Sequence, residues 1–268
     1  MLAPFVSQFV VGGVTVLGLM TGIWALGLRR KDASLVDRVW GLGFVLAMGG
    51  YMVAGPEPTP RSLLVFALVC MWGGRLSWHI HRRNRGHGED GRYTAMRNRF
   101  GAGFAWKSLF IVNWLQAILL LLISAPLLAL AASGAPAEVT IWDLAGLLVW
   151  CVGFAFEVIG DAQLKRFRAN PANRGKVLNS GLWARTRHPN YFGDALLWWG
   201  YWLFSCAIPF GAMTFFGPAL MTFLLYRVSG VALLEKDLIS RKPGYAAYVA
   251  STPAFVPRLL KSVVPKNG

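Results

Sequence analysis

Apolar residues along this chain gather into seven runs, around 4–28, 36–54, 62–80, 106–132, 140–160, 191–208 and 210–227. Polar stretches between them carry most of the charge. A helix rises about 1.5 Å per residue and the hydrocarbon core of a bilayer is about 30 Å thick, so each run is near or above the length needed to cross. The pattern predicts an all-α polytopic membrane protein with seven transmembrane helices. "SCAIPFGAM" (205–213) supplies the tight Pro/Gly turn expected to divide the last two. The first run ends, rather than begins, with the basic residues Arg29, Arg30 and Lys31 and shows no small-residue cleavage site. It therefore reads as a retained span and not a signal peptide.

Composition agrees with that reading. The 268 residues are 55% hydrophobic and 15% charged, too apolar for an ordinary soluble domain of this length. The formal net charge of +15 is informative through its placement. Lys and Arg concentrate in 29–38, 82–107, 161–187 and 227–266, whereas the loops at 55–61 and 133–139 are nearly free of them. By the positive-inside rule the N-terminus lies outside and the C-terminus in the cytoplasm, as an odd number of spans requires. Topology thus accounts for the basic character, and no nucleic-acid motif is present. Cys70, Cys151 and Cys206 all fall in apolar runs, without disulfide or metal spacing. With no repeat, low-complexity tract or flexible linker, residues 1–268 read as one membrane domain and as a monomer.

Polarity against expectation marks the candidate chemistry. The loops at 81–105 and 161–190 exceed what connection requires, and long loops in compact domains are often functional. Asp37, Arg75, His79, Glu157, Asp161, Asp194, Arg227 and Glu235 lie in or at the ends of predicted spans. Each such residue costs about 2.5–3.5 kcal/mol at a helix centre, so as a set they predict a polar cavity, open to the cytoplasm under a hydrophobic roof. The planar fork of arginine suits phosphate, and Arg168, Arg174, Arg185, Arg187 and Arg227 together suit a nucleotide with several phosphates. Asp161, Asn190 and Asp194 are candidate acceptors for its ribose hydroxyls or carboxamide. No strand-turn-helix glycine fingerprint is present, which places any cofactor among helices rather than on a Rossmann domain.

"GDAQLKRF", "GLWARTRHPNYFGDALLWWGYWL" and the tail "EKDLISRKPGYAAYVASTPAFVPRL" resemble the C-terminal region of the membrane steroid 5-alpha-reductases, over residues 150–258. "SLVDRVWGLGF" (34–44) and "RLSWHIHRRNRGHGEDGRY" (75–93) are similar to the bacterial branch of that family. The resemblance implies an enzyme of the bacterial inner membrane that binds NADPH in a cytoplasm-facing cavity. It would reduce the carbon-carbon double bond of a 3-oxo-delta-4 steroid or a similar lipid enone. Carried over, the cofactor positions are Asp161, Arg168, Asn190, Asp194 and Arg227, with Arg174, Arg187, His188 and Tyr191 as further candidates. The animal enzymes have glutamate where this chain has Asp194. Near the substrate the family uses a Gln-Glu pair and a tyrosine, and the best-aligned positions here are Asp37 and His79.

Enone reduction delivers hydride to the β carbon while negative charge collects on the carbonyl oxygen, which a positioned donor must hold. His79 is one candidate donor, oriented by Asp37; Tyr93 in the "GEDGRY" segment is a second. Asp37 has a structural alternative as an N-cap-like carboxylate or as the partner of Arg38 or Arg75. His79, His81, His87 and His188 lack metal-ligand spacing, so no metal is expected. Trp198 and Trp199 suit an interfacial belt or a sterol-sized wall. Tyr245 and Tyr248 are candidates to close over the cofactor. The Arg-His-Pro-x-Tyr element is shared with isoprenylcysteine methyltransferases, which makes an S-adenosylmethionine-dependent membrane methyltransferase the alternative. A transporter is disfavoured, because no paired broken helices or midplane charge relay appear.

Overall fold

The computed structural model describes residues 2–134, 138–228, 230–231, 235, 238 and 242–258, and every regular element among them is helical. The main helices are α1 (Leu2–Arg30), α2 (Leu35–Arg38), α3 (Trp40–Val53), α4 (Pro60–Asn84) and α5 (Gly91–Phe100). They continue as α6 (Phe104–Ser108), α7 (Leu115–Ile123), α8 (Ala125–Ala132), α9 (Ile141–Ala169), α10 (Pro189–Ser205), α11 (Phe216–Phe223) and α12 (Tyr245–Ser251). Wider π-type turns occupy Leu109–Trp114 and Leu224–Val228.

All seven predicted runs lie on helices, but five described helical segments are long and apolar enough to cross a membrane. They are Phe5–Arg30, Pro60–Asn84, Gly91–Ile123, Ile141–Ala169 and Gly211–Val228. The second run yields only the 14 residues of α3, because Val39 leaves helical geometry (φ −108°, ψ 3°) between α2 and α3. The sixth run yields the 17 residues of α10. The polar loops are shorter than expected. α4 runs on to Asn84 and α9 to Ala169, each ending in basic residues that suit the negative end of a helix dipole. Within 81–105 a further helix, α5, starts where the Asp90 carboxylate caps the Arg92 N–H at 3.0 Å.

The chain forms two compact units, residues 1–143 with 202–217 and residues 144–201 with 218–268. In the first, α3 and α4 pack backbone to backbone at Gly41 and Gly73; a methyl on Gly73 would come within 2.5 Å of the Gly41 carbonyl oxygen. Phe44, Met48, Tyr51, Val69, Trp72 and Leu120 are fully buried around that contact. Polar groups inside are matched: Gln8 Nε2 donates to the carbonyls of Tyr51 and Ala131, both at 3.1 Å, and Tyr51 Oη meets Ser124 Oγ at 2.8 Å. Arg61 anchors the start of α4 to the start of α9. Its Nε and Nη2 donate to the two oxygens of Asp143 at 2.6 and 2.8 Å, and Nη2 also reaches the Glu138 carbonyl at 2.9 Å. Asp143 accepts in addition from the N–H and hydroxyl of Thr140.

In the second unit α9 and α10 meet through small residues. Methyls on Gly153 and Gly200 would approach Leu197 N and Trp150 N at 2.5 and 2.8 Å. Such contacts let helix backbones come close where lipid offers no hydrophobic drive to associate. They bring Glu157 and Asp161 of α9 onto the same helix pair as Asn190 and Asp194 of α10.

Removing one partner of a buried ion pair leaves the other charge uncompensated. Arg61→Ala is expected to cost about 3–5 kcal/mol. Thermal unfolding of the purified protein in detergent should show a lowered midpoint for Arg61→Ala and for Asp143→Ala alike. An unchanged midpoint would mean that the pair is solvated.

Candidate functional site

Two clusters hold the chemistry-bearing side chains, one in each unit. In the first unit, Asp37 at the short α2 helix accepts from Tyr93 Oη at 2.8 Å through Oδ1 and from Arg92 Nη2 at 2.8 Å through Oδ2. Gln116 Nε2, from α7, donates to Tyr93 Oη at 3.2 Å. The Tyr93 side chain, 6% exposed, is therefore gripped from both sides. Arg92 is held in turn by Asp90, with Nε 2.9 Å from Oδ1. The sequence expectation gave Asp37 a possible structural partner in Arg38 or Arg75. Arg38 instead pairs with Asp32 at 2.8 Å, and Asp37 with Arg92. His79 is half-buried on α4.

In the second unit, the "RTRHPNY" segment turns into α10 and is clasped by residues far along the chain. Arg187 donates from Nε and Nη2 to the two oxygens of Glu235 at 2.7 and 3.0 Å. Its Nη1 donates to the carbonyls of Val249, at 2.9 Å, and Thr252. The Arg187 N–H reaches the Pro253 carbonyl at 2.9 Å, and Thr186 Oγ1 the Phe255 carbonyl at 2.8 Å. His188 Nε2 lies 3.0 Å from Glu235 Oε1, and its ring stacks on Tyr191 at 5.7 Å, 2° from parallel. Tyr248 Oη donates to the Trp183 carbonyl. The tail is thus tied to the elbow ahead of α10 by side chain and backbone together.

Burial alone would raise the Glu235 carboxyl, but hydrogen bonds and charge from His188 and Arg187 outweigh it and bring it down to about 2. Tyr245 is pushed up to about 12 by burial and by the negative charge of Glu235, so it stays a neutral hydroxyl at physiological pH.

Beside this clamp, Asn190 Nδ2 donates to Asp161 Oδ1 at 3.1 Å. Asp194 follows one turn later on α10, and Asp161, Asp194 and Glu157 are all buried. Arg168, at the end of α9, is exposed, as are Arg174 in the following loop and Arg227 in the wide turn after α11. The Arg227 guanidinium lies 5.2 Å from the Tyr226 ring centroid. Lys242 donates to the Lys176 carbonyl at 3.1 Å, and burial together with the Arg168 charge lowers its pKa.

A family model described as "Protein of unknown function (DUF1295)" matches residues 23–252. The chain belongs to this family. It is 25% identical to an uncharacterized protein of Schizosaccharomyces pombe, over 94% of this chain and 80% of that protein. Two partial likenesses are also found. One, at 29% identity, is to a probable O-methyltransferase of Ustilaginoidea virens, over 34% of this chain and 30% of the relative. The other, at 34% identity, is to a Delta(14)-sterol reductase of Schizosaccharomyces pombe, over 28% of this chain and 22% of the relative. No solved structure matches significantly.

Several residues that shape these clusters in the DUF1295 chain escaped the sequence-based site. Gln116 and Arg92 fix Tyr93, and Glu235 fills the fork of Arg187. Gln116 had a signal, an amide inside the otherwise apolar "NWLQAILLLL". Glu235 stood out as a costly ionisable residue, but its partner lies 48 residues away and no periodicity links them.

The clamp gives the family member a definite acid response. Glu235 has a folded value of about 2 against an ordinary 4.5, so its contribution to stability is complete above pH 4.5 and is lost as pH falls toward 2. Glu235→Gln should flatten the unfolding midpoint over that window while lowering it at neutral pH. A wild-type midpoint with the same acid slope as Glu235→Gln would contradict the pairing.

Proposed function

We propose that this chain is an integral membrane reductase. It uses NADPH to saturate the carbon-carbon double bond of a lipid enone, a 3-oxo-delta-4 steroid or a similar polycyclic compound. The observation that carries the reading is the Asp37–Tyr93–Gln116 arrangement: a buried phenol held between a carboxylate and an amide, inside a unit otherwise built from apolar helices. The likeness to a Delta(14)-sterol reductase supports it.

The residues of the second unit fit a phosphorylated nucleotide. Buried Asp161 and Asp194 with the Asn190 amide suit hydroxyl and carboxamide groups, and the Arg168 and Lys242 cations suit phosphate, with Arg174 and Arg227 as further basic contacts. NADPH would supply the hydride. Arg187 and His188 serve differently from the arginines around them: the Arg187 nitrogens donate to Glu235 and tail carbonyls and His188 Nε2 lies against Glu235, so they position the elbow that carries Asn190, Tyr191 and Asp194.

Tyr93 is the favoured donor to the substrate's carbonyl oxygen. Its O–H is directed at Asp37 in the resting protein, and turning that donor toward the oxygen gives charge stabilisation where charge develops. Asp37, anchored by Arg92, holds the phenol until the substrate replaces it as acceptor. The saturated ketone would take the cofactor's hydride at the β carbon and a proton from water at the α carbon.

The alternative, methyl transfer from S-adenosylmethionine, draws on the likeness to a probable O-methyltransferase. That cofactor bears a sulfonium cation and no phosphate, so the Arg168 and Lys242 charges would oppose it.

Purified protein should consume NADPH with testosterone or progesterone and yield the saturated product. Tyr93→Phe should lower kcat by about 10²–10⁴ and leave NADPH binding intact, with His79→Ala near wild type. The converse pattern would transfer the donor role to His79. Methyl transfer in place of NADPH consumption would overturn the reading.

A further inference from the structure

The second unit also carries a groove of about 830 Å³ lined by none of the cofactor contacts proposed above, although it takes in Arg185 and Tyr248, which the sequence had offered for the nucleotide. One wall is the C-terminal third of α9, from Ile159 to Gln163; the opposite wall is α12, with Ala247 facing in, and Arg185 and Arg258 line the same space. We propose that this groove is a binding site for an anionic phospholipid, its phosphate at Arg185 and Arg258 and an acyl chain along Ile159.

Three observations support that occupant. The first is position. Ile159 is an exposed apolar side chain within a helix long and apolar enough to span, and Lys165, Arg166 and Arg168 follow within three turns. The groove therefore runs from hydrocarbon depth into the headgroup layer, where basic side chains meet lipid phosphate. Secondly, its charge is one-sided: among the described residues that line it are two arginines and no carboxylate.

The third is construction. Gln163 Oε1 accepts from the Leu182 N–H at 3.0 Å, and the chain turns there through Gly181 at φ +61°, where a methyl would collide with the Gln163 amide. Arg185 and Arg258 are bound to each other through backbone: Arg258 N–H to the Arg185 carbonyl at 3.0 Å, and Arg185 Nη1 to the Arg258 carbonyl at 3.3 Å. Arg258 Nη1 also reaches the Ser251 carbonyl at 3.1 Å. Both guanidinium groups are thus placed before any ligand arrives, which lowers the ordering cost of binding.

The test uses the intact purified chain in detergent, titrated with phosphatidylglycerol, phosphatidylcholine or inorganic phosphate. Thermal unfolding and native mass spectrometry are the readouts. Phosphatidylglycerol should raise the midpoint and remain as one retained lipid, whereas phosphatidylcholine and inorganic phosphate should do neither. Arg185→Gln should weaken the effect about fivefold. Asn179→Glu, an exposed groove residue whose change leaves the arginines in place, should weaken it at least as much; its own lipid-free transition reports that it folds. The proposal is overturned by equal protection from phosphatidylcholine, or by protection from inorganic phosphate alone. It is also overturned if NADPH displaces the lipid, or if Arg29→Gln, outside the groove, weakens binding as much as Arg185→Gln.

Discussion

The guanidinium of Arg187 decides the shape of the second unit. Its Nε and Nη2 close on both oxygens of Glu235, and its Nη1 reaches the carbonyls of Val249 and Thr252. It is 8% exposed, so these bonds form in a medium where an unpaired charge would be costly. The same contacts draw the tail of the chain onto the elbow before α10 and fix the direction in which α10 leaves. Asn190 and Asp194 ride on that first turn and a half, opposite Asp161 on α9. Cutting the clamp would release the tail and the orientation of the candidate cofactor residues together.

A second constraint comes from lipid. Helices that gain nothing by leaving an apolar solvent must associate through close packing and satisfied polar groups. Gly41 against Gly73 provides the first in one unit, and Gly153 and Gly200 in the other. The Arg61–Asp143 pair and the Gln8 and Tyr51 bonds provide the second. Against that background, the polar group that includes Asp37, Arg92, Tyr93 and Gln116 is more than packing demands, which is why a chemical role is assigned to it.

Much of the architecture was readable before any coordinates, because apolar runs of membrane length are a strong signal. The failures have local causes. Val39 interrupts the second run and shortens α3 to 14 residues, an event of backbone geometry that hydropathy does not register. α5 was hidden inside a polar loop because its formation rests on an Asp90 cap and charged side chains rather than on an apolar stripe. For the candidate site, residues could be singled out by type and place in the sequence, but their pairings could not. Asp37 and Tyr93 were both singled out, yet the 2.8 Å bond between them spans 56 positions. Arg187 was offered for phosphate because a fork and a phosphate suit each other; its pairing with the Glu235 carboxylate, 48 positions away, had no signal in the sequence.

The most direct measurement is thermal protection of the intact protein by NADPH and by S-adenosylmethionine, compared side by side in detergent. The account predicts a rise in unfolding midpoint with NADPH, absent with S-adenosylmethionine and reduced when Arg168 and Lys242 are both replaced by Gln. Protection by S-adenosylmethionine alone would contradict it.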